Sequence, residues 1–91
     1  MENKLIAIES FCTYYNIEFS FLESLHEFGL IEIVPVENNR FLYEHQLKEV
    51  EKMMRLHYDL EINMAGIDAI SHLLKRMDEM QKEIKVLRNS L

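Results

Sequence analysis

Apolar residues recur every seven positions over the last third of the chain. Ile70, Met77, Ile84 and Leu91 form one series, and Leu73, Met80 and Leu87 the other. These are the a and d positions of a coiled-coil seam. The positions around them are mostly charged, among them Lys75, Arg76, Asp78, Glu79, Lys82, Glu83, Lys85 and Arg88. The pattern predicts one helix from Met64 nearly to Leu91, roughly 42 Å long at about 1.5 Å per residue. In a chain of 91 residues, such a rod leaves only the preceding segment to build a core. The expected organisation is a single domain, with a core over residues 1–62 and a long helix over 63–91.

Ile67, Ile70 and Leu74 are expected to cover that core. Leu73, Met77, Met80, Ile84, Leu87 and Leu91 would then be bare in a monomer. A bare apolar stripe of this length calls for a partner. Homodimerisation through the C-terminal helices is the expectation; a different protein covering the seam is the alternative.

The rest of the chain is expected to be mostly helical, because it holds only two Gly and one Pro. Its hydrophobic content of 48% is that of a globular domain, not of a disordered chain. A domain this small buries only about 60–65% of its unfolded surface. Its one cysteine allows no internal disulfide, so apolar packing or a partner subunit must stabilise it. No apolar run is long enough to cross a membrane. The first residues lack the pattern of a signal peptide, and a cytoplasmic location is expected.

The net charge is −6, and it is unevenly placed. Residues 1–43 carry two bases against seven acids, whereas residues 44–91 carry eight against nine. Eight of the nine aromatic residues also fall before Glu44. An acidic, aromatic-rich half repels a phosphate backbone and suits a basic protein partner.

Along that half, Lys4 to Ile8 reads as a short strand or a simple lead-in. Ile8, Phe11, Cys12 and Tyr15 have the spacing of one helix face, with Asn16 as the stop. A second helix from about Phe19 to Phe28 has Phe21, Leu22, Leu25 and Phe28 as its apolar face. Ser20, Glu23, Ser24 and Glu27 form its polar face, and Gly29 supplies the left-handed residue that ends it. Leu30 to Val36 alternates as a strand, which Pro35 confines to a sheet edge. Glu37-Asn38-Asn39 is a turn, with positive φ expected at Asn. Arg40 to Tyr43 returns as the partner strand. A third helix is expected from Glu44 to Tyr58, burying Leu47, Val50, Met54 and Tyr58 with Met53 at the edge. Asn63 is a good N-cap for the final helix, and Ile62 with Ile67 can form a hydrophobic staple.

Two helices, a hairpin, a third helix and a long terminal helix together resemble the MerR-type winged helix-turn-helix, a mainly α fold. A closer resemblance lies in Arg55-Leu56-His57-Tyr58-Asp59-Leu60-Glu61-Ile62-Asn63-Met64-Ala65-Gly66-Ile67. This segment is similar to the helix junction of the CbpM family of chaperone modulators. The stretch Leu25-His26-Glu27-Phe28-Gly29-Leu30-Ile31-Glu32 is similar to another segment of that family. The resemblance implies a small cytoplasmic protein that binds the J-domain of a DnaJ-like co-chaperone. There it would restrain stimulation of the DnaK-type ATPase.

The MerR-like reading implies DNA binding, and the residues speak against it. MerR regulators typically carry L-R-Y-Y-E before their Gly-Leu pair, and here Leu22-Glu23-Ser24-Leu25-His26 stands in that place. The arginine position is thus a glutamate, and neither tyrosine is present. Arg40 at the wing is the one retained feature. The acidic residues Glu18, Glu23, Glu27 and Glu32 are either a solvated surface or a binding patch. The absence of bases on that helix favours the patch, whose complement would be the basic second helix of a J-domain.

No enzyme is expected, because no nucleophile motif, phosphate-binding loop or paired carboxylate is recognisable. No metal or cofactor is expected either. His26, His45, His57 and His72 show no ligand spacing, and Cys12 reads as a small buried hydrophobe. Arg55 and Asp59, four apart on one helix, can pair at the junction. Gly66 costs up to about 1 kcal/mol relative to Ala in a helix, which predicts close packing of the third helix against it. A purely structural dimer module is a third reading.

Overall fold

The first two helices end at residues able to take a left-handed backbone. Residues 4–91 are described in the computed structural model. Helix α1 (Ile8–Tyr15) stops at Asn16, where φ is 55°. Helix α2 (Phe19–Glu27) is closed by Gly29, with φ 75°. Leu30 N–H donates to Leu25 O, and Gly29 N–H to His26 O, each at 2.9 Å. This pair of bonds is a Schellman closure. Phe28 lies just past the helical residues, so the helix spacing no longer governs it. It is 44% exposed instead of completing the apolar face.

Lys4 to Ile8 resolves as strand β1 (Leu5–Ala7) leading directly into α1. It pairs antiparallel with β3 (Asn39–Tyr43), whose other edge holds β2 (Val34–Val36). The sheet therefore has three strands in the order β1-β3-β2, with Pro35 on the edge as expected. Strand β2 is shorter than the alternating pattern suggested. The Gln46 side chain takes the place of a strand partner: Glu32 N–H donates to its Oε1 at 2.7 Å, and its Nε2 donates to Glu32 O at 3.1 Å. The hairpin turns on two residues, Glu37 and Asn38. Positive φ falls on Glu37, at 57°, rather than on an asparagine. A two-residue hairpin requires that conformation by position, whatever residue occupies it.

The third helix runs unbroken from Glu44 to Asp59, close to the expected span, but its pitch changes along its length. A 3-10 turn over Glu44–Gln46 leads into α3 (Leu47–Met54), and a π-helical turn over Arg55–Asp59 ends it. The buried residues of α3 are Val50 and Met53, with Leu47 and Met54 half-buried. Tyr58, expected inside, is 46% exposed, because the wider turn carries it around the helix axis. Leu22, Leu25, Leu42, Val50 and Ile67 are fully enclosed. They come from α2, β3, α3 and α4, so one core ties these elements together.

Helix α4 (Met64–Asn89) begins at Asn63, whose Oδ1 accepts Gly66 N–H at 2.8 Å. Ile62 and Ile67 flank this cap and both pack in the core, consistent with the expected staple. Ile67 is buried and Ile70 half-buried, but Leu74 is exposed. From His72 to Leu91 every residue is exposed. The radius of gyration is 15.7 Å, against about 12 Å for a compact domain of this length. The long helix therefore projects from the core and does not fold back on it.

Gly66 is required by its own junction, not by the third helix. A Cβ built there would lie 2.6 Å from Ile62 Cγ2 and 3.3 Å from the capping Asn63 Oδ1. Gly66→Ala should therefore lower the melting temperature, although Ala is the better helix former by about 1 kcal/mol. Thermal unfolding followed by circular dichroism checks this; a rise would mean that Ile62 yields freely.

Candidate protein-interaction surface

Helix α2 presents its polar side outward because Phe21, Leu22 and Leu25 are held in the core. Glu23 and Glu27 stand one turn apart and are exposed. Such a like-charge i,i+4 pair destabilises an isolated helix by about 0.2–0.5 kcal/mol. No Lys or Arg lies within α2 to offset it. The other two acidic residues do not share that face. Glu18 is the N-cap of α2, where its Oε2 accepts the Ser20 hydroxyl at 3.2 Å. Glu32 is exposed beyond the end of the helix, its backbone tied to Gln46. The acidic residues thus mark both ends and one face of a single helix.

The wing is bound to the same helix. The Arg40 guanidinium lies 3.9 Å from the centre of the Phe19 ring, at the start of α2. Cys12 is half-buried against the core, and loss of solvation pushes its thiol above the ordinary value. A raised thiol pKa favours the unreactive protonated form.

Two histidines have a role that the sequence reading missed. His26 Nδ1 lies 3.2 Å from Ile31 O, and His57 Nδ1 lies 2.9 Å from Ile62 O. Each histidine ties the end of its helix to the carbonyl five residues later, one at the wing and one at the junction. The shared H-x-x-x-x-I spacing was the available signal. Among the described residues no three His, Cys, Asp or Glu side chains converge as metal ligands.

The junction residues are brought together, but not as an ion pair. The salt bridges among the described residues are Lys52–Glu49, His72–Asp68 (when the histidine is protonated) and Lys82–Asp78. Arg55 and Asp59 instead line one groove, because a π turn does not stack residues four apart. The seam residues Leu73, Met77, Met80, Ile84, Leu87 and Leu91 are all more than half exposed.

A family model described as MerR HTH family regulatory protein matches residues 6–89. The chain belongs to the MerR helix-turn-helix family. No curated protein and no solved structure gives a significant match.

Within the MerR framework, α1 and α2 form the helix-turn-helix and β2 with β3 the wing. The places of the family's arginine and two tyrosines are then informative. Glu23 stands exposed in the first, Ser24 is half-buried in the second, and Leu25 is fully buried in the third. The last position is committed to the core and presents nothing to a ligand.

Proposed function

We propose that this MerR family member is a non-enzymatic chaperone modulator that binds a protein rather than DNA. Its partner is the J-domain of a DnaJ-like co-chaperone, and the effect is to restrain stimulation of a DnaK-type ATPase. The observation that carries this reading is the exposed Glu23–Glu27 pair on an α2 that holds no Lys or Arg. Phosphate neutralisation by Lys and Arg supplies nearly all non-specific DNA affinity. An acidic face in the recognition-helix position opposes it. The same face complements a basic helix and blocks it by occupancy. The CbpM-like junction from Arg55 to Ile67 supports the specific partner. The proposed protein acts in the cytoplasm as a homodimer, joined through the exposed seam of α4.

Electrostatic complementarity acts mainly on the rate of encounter. Raising salt should therefore slow association with an isolated J-domain more than it speeds dissociation.

A DNA-reading regulator is the second reading, favoured by the description of the matching family. Gel-shift titration separates the two. No shift of random or promoter duplex is expected at micromolar protein and roughly 0.1 M salt, conditions under which basic DNA binders are retained. Sequence-specific binding that survives competitor duplex would overturn the modulator reading.

A further inference from the structure

A groove of about 450 Å³ opens between the end of α1 and the π turn after α3. Its lining includes Tyr15, Ile17, Glu51, Met54, Tyr58 and Asp59, with Arg55 alongside. Tyr15, Ile17, Glu51 and Met54 lie outside the Arg55–Ile67 junction segment, so no single sequence motif announces the groove.

Both tyrosine rings are held in place by the core. Tyr15 lies 4.6 Å from Phe11 and meets Tyr14 edge-on at 4.9 Å. Tyr58 lies 5.3 Å from Phe21 and meets His57 edge-on at 4.9 Å. His57 is itself stacked on Phe21 at 4.9 Å and fixed to Ile62 O. Phe11 and Phe21 are buried, so the two phenols are mounted on rigid supports. Ile17 and Met54 add half-buried apolar wall. Loss of solvation, with the nearby Glu51 carboxylate and the neighbouring Tyr14 adding to it, pushes the pKa of the Tyr15 phenol above its ordinary value.

Fixed aromatic rings beside carboxylates are suited to a planar cation. A guanidinium can stack on a ring while its N–H groups fork to a carboxylate. We infer that this groove receives an arginine side chain of a protein partner, with Tyr15 and Tyr58 as walls and Glu51 and Asp59 as acceptors. Arginine fits better than lysine, whose compact ammonium is strongly hydrated and does not stack. The groove residues Asn16 and Ile17 run directly into Glu18, so the site adjoins the N-terminal end of the acidic helix. Arg55 lines the same groove and makes no salt bridge with either carboxylate. It is a competing charge at the rim, which gives the inference a variant of opposite sign.

The test uses the intact protein and a capped Ala-Arg-Ala tripeptide, followed in amide nitrogen–proton correlation spectra. The matched citrulline tripeptide is the neutral control. Saturable shifts confined to Tyr15–Ile17, Glu51 and Met54–Asp59 are expected, with a Kd on the order of millimolar for so small a probe. The citrulline peptide should not saturate. Glu51→Gln with Asp59→Asn should weaken binding roughly fivefold, as one half-buried and one exposed charge allow. Arg55→Gln should strengthen it. The spectra also show that each variant is folded. Equal binding of citrulline, no saturation, shifts elsewhere or weaker binding by Arg55→Gln would each overturn the inference. Tighter binding of agmatine than of the tripeptide would point to a free small cation and overturn the protein source. The probe contains no J-domain, so failure of the proposed partner on α2 would leave this result intact.

Discussion

Met80→Glu combined with Leu87→Glu is expected to convert a homodimer into a monomer whose core remains folded. In the single chain Met80 is 56% and Leu87 67% exposed. Neither belongs to the core or to the residues packed against it. Both carboxylates would stay hydrated in the monomer and cost it little. In a symmetric seam they would enter from both copies. Unpaired charges buried in this way cost several kcal/mol, enough to weaken association at least about a hundredfold. Sedimentation over a range of concentrations measures the effect, and far-ultraviolet circular dichroism checks the fold. A wild-type protein that sediments as a monomer at high concentration would rule out self-pairing and leave the seam to a different protein.

Glu23→Lys with Glu27→Lys is expected to weaken binding to an isolated J-domain at least tenfold. Both side chains are exposed on α2, opposite the buried Leu22 and Leu25, so the fold should survive. An exposed charge pair contributes no more than about 1 kcal/mol. Reversal adds repulsion from the basic partner at both sites, which makes about 1.4 kcal/mol, or tenfold, a fair threshold. Titration calorimetry against the J-domain supplies the measurement. Unchanged affinity in a folded variant would show that the acidic face is only solvated, and would move the interface to the junction or the seam.

Much of the fold was legible because its signals are local. Asn16 and Gly29 end their helices, Pro35 stands on a sheet edge and Asn63 caps α4. Each follows from backbone chemistry within a few residues. The misreadings arose where a local rule met a longer-range demand. Tyr58 fits a regular helical stripe but is turned outward by the π turn. Glu37 carries the positive φ because strand register, not residue preference, sets the turn. Gly66 sits in close contact as its sequence position implies, but the neighbour is Ile62 and not the third helix.

The candidate site divides in the same way. Helical periodicity alone determined that Glu23 and Glu27 share a face and that α4 carries an apolar seam, because both are repeats along one helix. Tertiary structure alone decided that Arg40 lies over Phe19 and that Leu74, unlike Ile67, leaves the core. It also assembled Tyr15, Glu51 and Tyr58 around one groove. The physical reason is sequence separation: a contact between distant residues depends on how whole elements dock, and no spacing along the chain encodes that angle.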